Sequence, residues 1–355
     1  MQLKALTGLK NLARPVLITG HTGFKGTWLT LLLESHGVEV IGASLEPAED
    51  ALYSRLNRRG HIEEFFLDIR DFDALQKMVN KVKPSLVFHL AAQPLVLESY
   101  VSPLSTFETN VMGTANLLES ISGLKERSNV VAITTDKVYE NTGKIRKYRE
   151  SDKLQGKDPY SASKVGTESV VTAWENIWKQ SSPHRICSAR AGNVIGGGDY
   201  SKDRIVPDII RGLRSNTEVT IRNPKSTRPW QHVLDPLMGY MYAAEALICD
   251  VGIKNVNFGP TEESLSVERL IQLAKIEFGE GISFMISNDD SQAKLESELL
   301  DLDSTLANSI LGWWPKWDQE DAIRRTFTWW KEVLSGSLSP FEACEADISA
   351  LLGSR

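Results

Sequence analysis

Cysteine is nearly missing from this chain. Only Cys187, Cys249 and Cys344 occur among 355 residues, scattered and without metal-ligand spacing. They read as reduced structural thiols of a cytoplasmic protein, with no metal expected. No apolar run is long enough to span a bilayer. Residues 1–14 carry Lys4, Lys10 and Arg14 but no apolar leader core, and read as a short surface helix or a frayed tail. A long basic run is absent and the net charge is −6, which excludes neither fold nor enzyme but gives nucleic acid and membrane little to hold. A negatively charged substrate therefore needs locally placed Arg or Lys. Repeats and low-complexity tracts are also absent. The remaining composition is that of a soluble globular protein, long enough for one large or two coupled domains.

What is present is a glycine loop in the right setting. Val16-Leu17-Ile18-Thr19 is a short apolar run that fits a buried strand. It leads into Gly20-His21-Thr22-Gly23-Phe24-Lys25-Gly26, then a helical stretch to Gly37, then the strand-like Val38-Glu39-Val40-Ile41. Glycines there let the backbone approach a pyrophosphate, and the helix N-terminus offers free N–H groups and a positive dipole end. The spacing is GxxGxxG rather than GxGxxG, so an ordinary glycine-rich βα turn competes with a dinucleotide loop. Ser44 stands where the acidic residue for an adenosine ribose is expected, with Glu46 within reach. Arg55, Arg58 and Arg59 follow and are placed to meet a 2′-phosphate, so the choice between NAD and NADP stays open.

Strand and helix patterns alternate through the first half. Strands are expected at 65–67, 85–90, 129–135 and 185–190, with helices up to about 84, over 104–122 and over 159–180. Ala91 and Ala92 end one strand and leave room for a cofactor against the backbone. Asp158 and Pro159 are suited to begin the helix at 159–180. Such βα repetition makes a doubly wound parallel sheet, an α/β fold of Rossmann type. The second half is less regular, with helices expected near 205–214, 235–249, 266–278, 303–311 and 319–334. Short strands are expected near 218–222, 255–258 and 282–286. We expect a cofactor domain over 14–190, with part of 225–260 returning to it. A smaller mixed α/β substrate lobe then covers 191–335, and 1–13 and 336–355 are terminal extensions. Trp313, Trp314, Trp317, Trp329 and Trp330 are expected to pack that lobe.

Two further segments carry chemistry. Tyr160 and Lys164 are four residues apart, hence on one helix face. An ammonium near a phenol lowers its pKa, which would make Tyr160 a base for a hydroxyl proton as hydride leaves the same carbon. An isolated pair of this kind is most often two surface residues; its position after a dinucleotide loop changes the odds. Thr134-Thr135-Asp136-Lys137-Val138-Tyr139 lies at the carboxyl end of a strand, where ligands bind in open α/β sheets. The competing reading is a strand-end threonine followed by solvated charges.

These segments resemble the extended short-chain dehydrogenase/reductase superfamily, and within it the nucleotide-sugar 4,6-dehydratases, nearest to those acting on CDP-glucose. The resemblance rests also on His89-Leu90-Ala91-Ala92-Gln93-Pro94-Leu95-Val96, Thr106-Phe107-Glu108-Thr109-Asn110-Val111-Met112-Gly113-Thr114, Ala189-Arg190-Ala191-Gly192-Asn193-Val194-Ile195-Gly196-Gly197-Gly198-Asp199 and Arg228-Pro229-Trp230-Gln231-His232-Val233-Leu234. It runs from about residue 14 to about Trp330. The last two segments and Lys137 are specific to the subgroup.

The resemblance implies NAD as cofactor and a nucleotide sugar as substrate. Tyr160 would deprotonate the C4 hydroxyl, with Lys164 and Thr135 beside it. Asp136 and Lys137 would serve the elimination of water across C5 and C6, and hydride would return to C6. Many relatives carry Asp-Glu where this chain has Asp136-Lys137, so Lys137 must act as the C5 base or hold a hydroxyl or phosphate instead. An ion pair between the two would push both away from the required protonation states. Cofactor contacts are implied for Gly20, Thr22, Gly23, Phe24, Lys25, Gly26, Ser44, Asp68, Ile69, Ala91, Ala92 and Gln93, and for Tyr160 and Lys164 as well. Substrate contacts are implied for Gln93, Asn193, Arg204, Arg228 and His232, with His232 leaning to the cleft rather than the core. The helices at 104–122 and 159–180 would pair two copies into a four-helix bundle, giving a homodimer or a larger assembly. A 4-epimerase, a dehydratase for another nucleotide sugar, and a non-catalytic cofactor-binding protein are the competing functions.

Overall fold

The computed structural model describes residues 6–143, 146–221, 223–279, 282–286 and 300–353. The expected terminal stretches thus lie partly outside the described residues, at 1–5 and 354–355, as does residue 222 of the strand expected at 218–222.

Seven parallel strands form the central sheet: β1 (Val16–Thr19), β2 (Val40–Ser44), β3 (Glu63–Phe66), β4 (Leu86–His89), β5 (Asn129–Ile133), β6 (Arg185–Ala191) and β7 (Asn255–Phe258). Their order across the sheet is β7-β6-β5-β4-β1-β2-β3, with β1 and β4 adjacent at the point where the winding reverses. Alternation along each strand feeds two cores. In β1, Val16 and Ile18 join one cluster and Leu17 the other.

Helices α1 (Phe24–Ser35), α2 (Phe72–Val82), α3 (Gly113–Ser122), α4 (Pro159–Ser181), α5 (Ile205–Ser215) and α6 (Leu234–Ile248) follow in chain order. Leu75 and Val79 of α2, Leu117 and Ile121 of α3, and Val171 and Trp178 of α4 cover one face. Trp28 and Leu32 of α1 and Leu237 and Met241 of α6 cover the other. Both faces of each inner strand are buried, which is why the strands read as nearly unbroken apolar runs.

The long helix expected over 104–122 is broken. Pro103–Phe107 is α-helical, Glu108–Met112 is a π-turn, and α3 follows. The wide turn frees the Asn110 side chain, which bonds Gln93 N, Gln93 O and Ser163 Oγ at 2.8, 3.1 and 2.8 Å. It therefore ties the β4 loop to α4.

Past β6 the chain leaves the sheet, makes α5 and returns through α6 and β7. Two later helices, α7 (Val267–Phe278) and α8 (Gln319–Ser335), pack on each other. Val219–Ile221 pairs in parallel with Phe284–Ile286. Trp313, Trp317, Trp329 and Trp330 are buried as expected, whereas Trp314 is 60% exposed. The carboxyl-terminal stretch is no loose tail. Helix α9 (Pro340–Leu352) starts on a capping box between Ser339 and Glu342 and packs on α8 and α1. At the other end, the Glu245 carboxylate accepts hydrogen bonds from Gly8 N and Leu9 N, each 2.8 Å, and Leu6 and Leu9 are buried.

Candidate active site

The glycine loop joins β1 to α1. Gly20 has φ +77, a conformation that costs other residues energy. A Cβ on Gly26 would stand 2.1 Å from Gly20 O, so only glycine lets α1 start this close to β1. Gly23 is the residue before α1 and supplies no capping side chain, so the first N–H groups of α1 remain open to an anion. Phe24 and Lys25 carry two of them. Gly20 also touches the β4 end: a Cβ there would lie 2.8 Å from Ala91 N. With Ala91 and Ala92 both small and half-buried, the loop and the β4 end leave a cradle that suits a dinucleotide. On the far side, Thr22 Oγ1 and Ser44 Oγ are hydrogen-bonded at 2.7 Å. Asp68 is gripped by the Arg70 guanidinium, and Ile69 is buried against Gly113.

The candidate reacting groups come from the segment after β5 and from α4. Asp158 accepts Ser161 N at 2.9 Å and begins α4, with Pro159 in the first turn. Tyr160 and Lys164 sit a turn apart on α4 and are both buried. Lys164 Nζ donates to Ile133 O at 3.2 Å, which fastens α4 to the end of β5. Thr135 Oγ1 donates to Asp136 Oδ1 at 2.8 Å. The other oxygen of Asp136 faces Gly192, where an added Cβ would lie 3.2 Å from it. Burial raises the Asp136 carboxyl above its usual range, although Lys137, Thr135 and Lys25 oppose that shift. Among the described residues no salt bridge joins Asp136 to half-buried Lys137, and the Lys137 charge only partly offsets the effect of burial.

One expectation fails here. Lys164 was to lower the Tyr160 pKa, but burial dominates and pushes the phenol up to about 12; a hydrogen bond with Thr135 and the Arg204 charge pull back only in part. The Lys164 charge is itself disfavoured by burial, its pKa falling to about 8, with Glu168 opposing. In the free protein Tyr160 therefore keeps its proton.

Arg204 lies near this cluster and pairs with Asp199 at 3.0 Å. Lys25 reaches it too. Its Nζ donates to Tyr240 Oη at 3.3 Å, and burial with the Arg204 and Lys164 charges lowers its pKa to about 7. The loop lysine is thus a neighbour of Asp136 and Lys164 as well as of the helix N-terminus. Asn193 is half-buried and its backbone O accepts Gln231 N at 3.0 Å. Arg228 lies on the two-residue strand Thr227–Arg228 and donates to Thr227 O at 2.8 Å.

Two expected substrate residues are used elsewhere. His232 is fully buried, edge-on to Trp28 and Trp317, with Nε2 3.4 Å from Asp347 Oδ2 of α9. It belongs to the core and not to the cleft. The Gln93 side chain is spent on its own loop, through Leu95 N, Leu95 O and Thr106 Oγ1 at 2.5, 3.1 and 2.9 Å.

Sequence reasoning missed the support beneath these groups. Glu168 accepts from Arg190, Thr134 and Ser188, all buried. The Gly196-Gly197-Gly198 turn is held by aromatics: Trp28 Nε1 donates to Gly197 O at 3.0 Å, and the Trp329 ring fills the space a Gly197 side chain would need. A signal existed for Glu168, which follows Lys164 by one helical turn. No local signal marked Trp28 or Trp329.

The profile of the GDP-mannose 4,6 dehydratase family matches residues 17–326. The chain belongs to this family. A CDP-glucose 4,6-dehydratase of Salmonella typhimurium is 41% identical over 331 residues, 90% of this chain and 91% of that protein. Among solved structures, a UDP-glucose-4-epimerase of Stenotrophomonas maltophila with bound NAD and formylated UDP-arabinopyranose superposes with TM-score 0.77 at 22% identity, covering 92% of this chain and all 100% of that one. A dTDP-glucose 4,6-dehydratase of Bacillus anthracis in complex with NAD gives TM-score 0.74 at 18% identity, over 90% and 97% of the two chains. At such identities the structures speak for the fold, which they share with this family member.

Proposed function

We propose that this protein is an NAD-dependent nucleotide-sugar 4,6-dehydratase, a hydro-lyase that converts CDP-glucose to CDP-4-keto-6-deoxyglucose. The observation that carries the reading is Asp136: a buried carboxyl, raised by burial, hydrogen-bonded to Thr135 and set beside Tyr160. An epimerase needs no acid for a leaving hydroxyl, whereas a dehydratase does. The 41% identity to the Salmonella protein supports the CDP-glucose assignment.

When bound, NAD would supply the hydride acceptor, and its positive charge would favour the Tyr160 phenolate that the free protein disfavours. The cradle of Gly20, Thr22, Gly23, Phe24, Lys25 and Gly26, with Ser44, Asp68, Ile69, Ala91, Ala92 and the Gln93 backbone along its edge, is the site we assign to it. Tyr160 then takes the C4 hydroxyl proton as hydride leaves C4, with Lys164 and Thr135 holding it in place. The resulting ketone acidifies C5–H. Lys137 takes that proton, Asp136 protonates the departing C6 hydroxyl, hydride returns to C6, and Lys137 gives a proton back to C5 of the resulting enolate. Arg204 and Arg228 are our candidates for the pyrophosphate, since a guanidinium matches phosphate geometry, and Asn193 for the sugar.

We read 14–190 as the cofactor domain, with part of 225–260 returning to it, and 191–335 as the substrate lobe; β7 at the sheet edge supports that division. A homodimer is part of the proposal. Val101 and Leu104 are each 77% exposed, Met112 56% and Ile177 50%, exposed apolar side chains on α4 and on the segment before α3. A cytoplasmic setting and a role in making deoxysugars for surface polysaccharides complete it; the thiols Cys187 and Cys344 are buried and unpaired. No helix of the described residues is long and apolar enough to cross a membrane.

The test is mass spectrometry of the protein with NAD and CDP-, UDP-, GDP- or dTDP-glucose. Loss of one water from CDP-glucose alone supports the whole reading. Loss from another nucleotide sugar keeps the chemistry and replaces the substrate. A changed sugar configuration at constant mass points to an epimerase.

A further inference from the structure

The end of β2 lacks the carboxylate that selects NAD. In its place stand two hydroxyls, Thr22 and Ser44, bonded to each other at 2.7 Å. An acidic side chain at this position holds a ribose 2′-hydroxyl and repels a 2′-phosphate; a hydroxyl pair does the first weakly and the second not at all.

The nearby acids do not replace it. Glu64 is enclosed, its oxygens taken by Tyr53 Oη, by Gly60 N at 2.9 Å and by His21 Nε2 at 3.1 Å. Glu46, two residues beyond β2, is 60% exposed and paired with Arg59 at 2.9 Å. Of the three arginines in the following segment, two are engaged away from β2. Arg58 holds Glu34 with two bonds of 2.8 Å, and Arg55 lies over the Tyr200 ring.

Arg59 is different. Its guanidinium lies over the Phe66 ring, 4.5 Å from the centroid, and Phe66 is the direct register partner of Ser44 in the β2–β3 ladder. The ring thus steers a cation to the β2 end, and among the described residues the carboxylate in salt-bridge contact with it is the solvent-exposed Glu46. A solvated pair of this kind holds weakly, so a dianionic phosphate can displace Glu46 at little cost.

We propose that Arg59, with Ser44, sets coenzyme choice, and that this chain binds NADP as well as NAD. The inference rests on the dinucleotide reading above. The Glu46–Arg59 pair acts as an exchangeable latch: closed in the absence of a 2′-phosphate, opened by one.

The experiment is titration of the purified full chain with NAD and with NADP, followed by tryptophan fluorescence and calorimetry. Expected are dissociation constants within about tenfold of each other at low salt. Arg59→Ala should weaken NADP about tenfold or more and leave NAD within twofold. Ser44→Asp should strengthen NAD and weaken NADP by about a hundredfold or more. Glu46→Gln, which frees Arg59, should tighten NADP alone. A wild-type preference for NAD above about a thousandfold, or an NADP/NAD ratio unmoved by Arg59→Ala, overturns the inference while leaving the cofactor site in place. Binding of neither dinucleotide would overturn the cofactor reading itself, and this inference with it.

Discussion

Glu168 holds Arg190 with both carboxylate oxygens, 2.8 Å to Nε and 2.8 Å to Nη2, where the two side chains are only 4% and 2% exposed. Thr134 and Ser188 complete the carboxylate's shell at 2.6 and 2.7 Å, and Arg190 Nη1 donates to Tyr139 Oη at 2.8 Å. The pair thus ties α4 to β6 and to the end of β5, one helical turn past Lys164. Removing one charge strands the other. Glu168→Gln or Arg190→Met should each cost about 3–5 kcal/mol in urea unfolding, and the double variant should cost less than the sum.

Tyr160 tests the oxidation step. Tyr160→Phe should lower kcat by about 10²–10⁴ while dinucleotide binding stays near the wild-type value. Unchanged turnover would remove Tyr160 from the chemistry.

The elimination groups separate by isotope. With Asp136→Asn, oxidation at C4 and solvent-deuterium exchange at C5 should persist while loss of water stops. With Lys137→Met, exchange at C5 should stop as well. Normal exchange in that variant would end the assignment of Lys137 as base.

Gly26→Ala places a methyl group 2.1 Å from Gly20 O. The loop must open, so dinucleotide affinity should fall at least about tenfold, and overpacking should cost about 1–3 kcal/mol in stability. Equal affinity in calorimetry would show that α1 does not need its close approach.

Asp235 makes a pH prediction. Burial raises its carboxyl from 3.8 to about 7, opposed by hydrogen bonds from the Lys316 and Trp317 backbones and by His232. The folded protein therefore holds a proton that the unfolded chain has released. This contribution is full below about pH 4 and is lost as pH rises through about 7. Wild-type Tm should fall between pH 5 and pH 8 by more than that of Asp235→Asn, which mimics the protonated form. Parallel profiles would show that Asp235 does not titrate in this window.

The sheet was legible because its signals are local: apolar runs, a glycine loop, Asp158-Pro159 before a helix. Tyr160 and Lys164 were legible as a pair because four residues make one helical turn. The protonation state of Tyr160 was not, since burial by segments far along the chain outweighs the lysine one turn away. His232 was misread for a similar reason: its partners Trp28, Trp317 and Asp347 come from α1, the loop before α8, and α9. Gln93 looked open because the π-turn that brings Thr106 and Asn110 against its loop leaves no mark in a helical pattern. Lys25 was legible as a loop residue, but its reach to Tyr240 depends on where α6 lies.

The most direct test of the central claim follows one hydrogen. CDP-glucose carrying deuterium at C4, turned over by the protein with unlabelled NAD, should give a product lighter by one water with the deuterium in the C6 methyl group. Water loss without label at C6 would contradict the return of the same hydride, and retention of mass with an altered C4 configuration would contradict a dehydratase altogether.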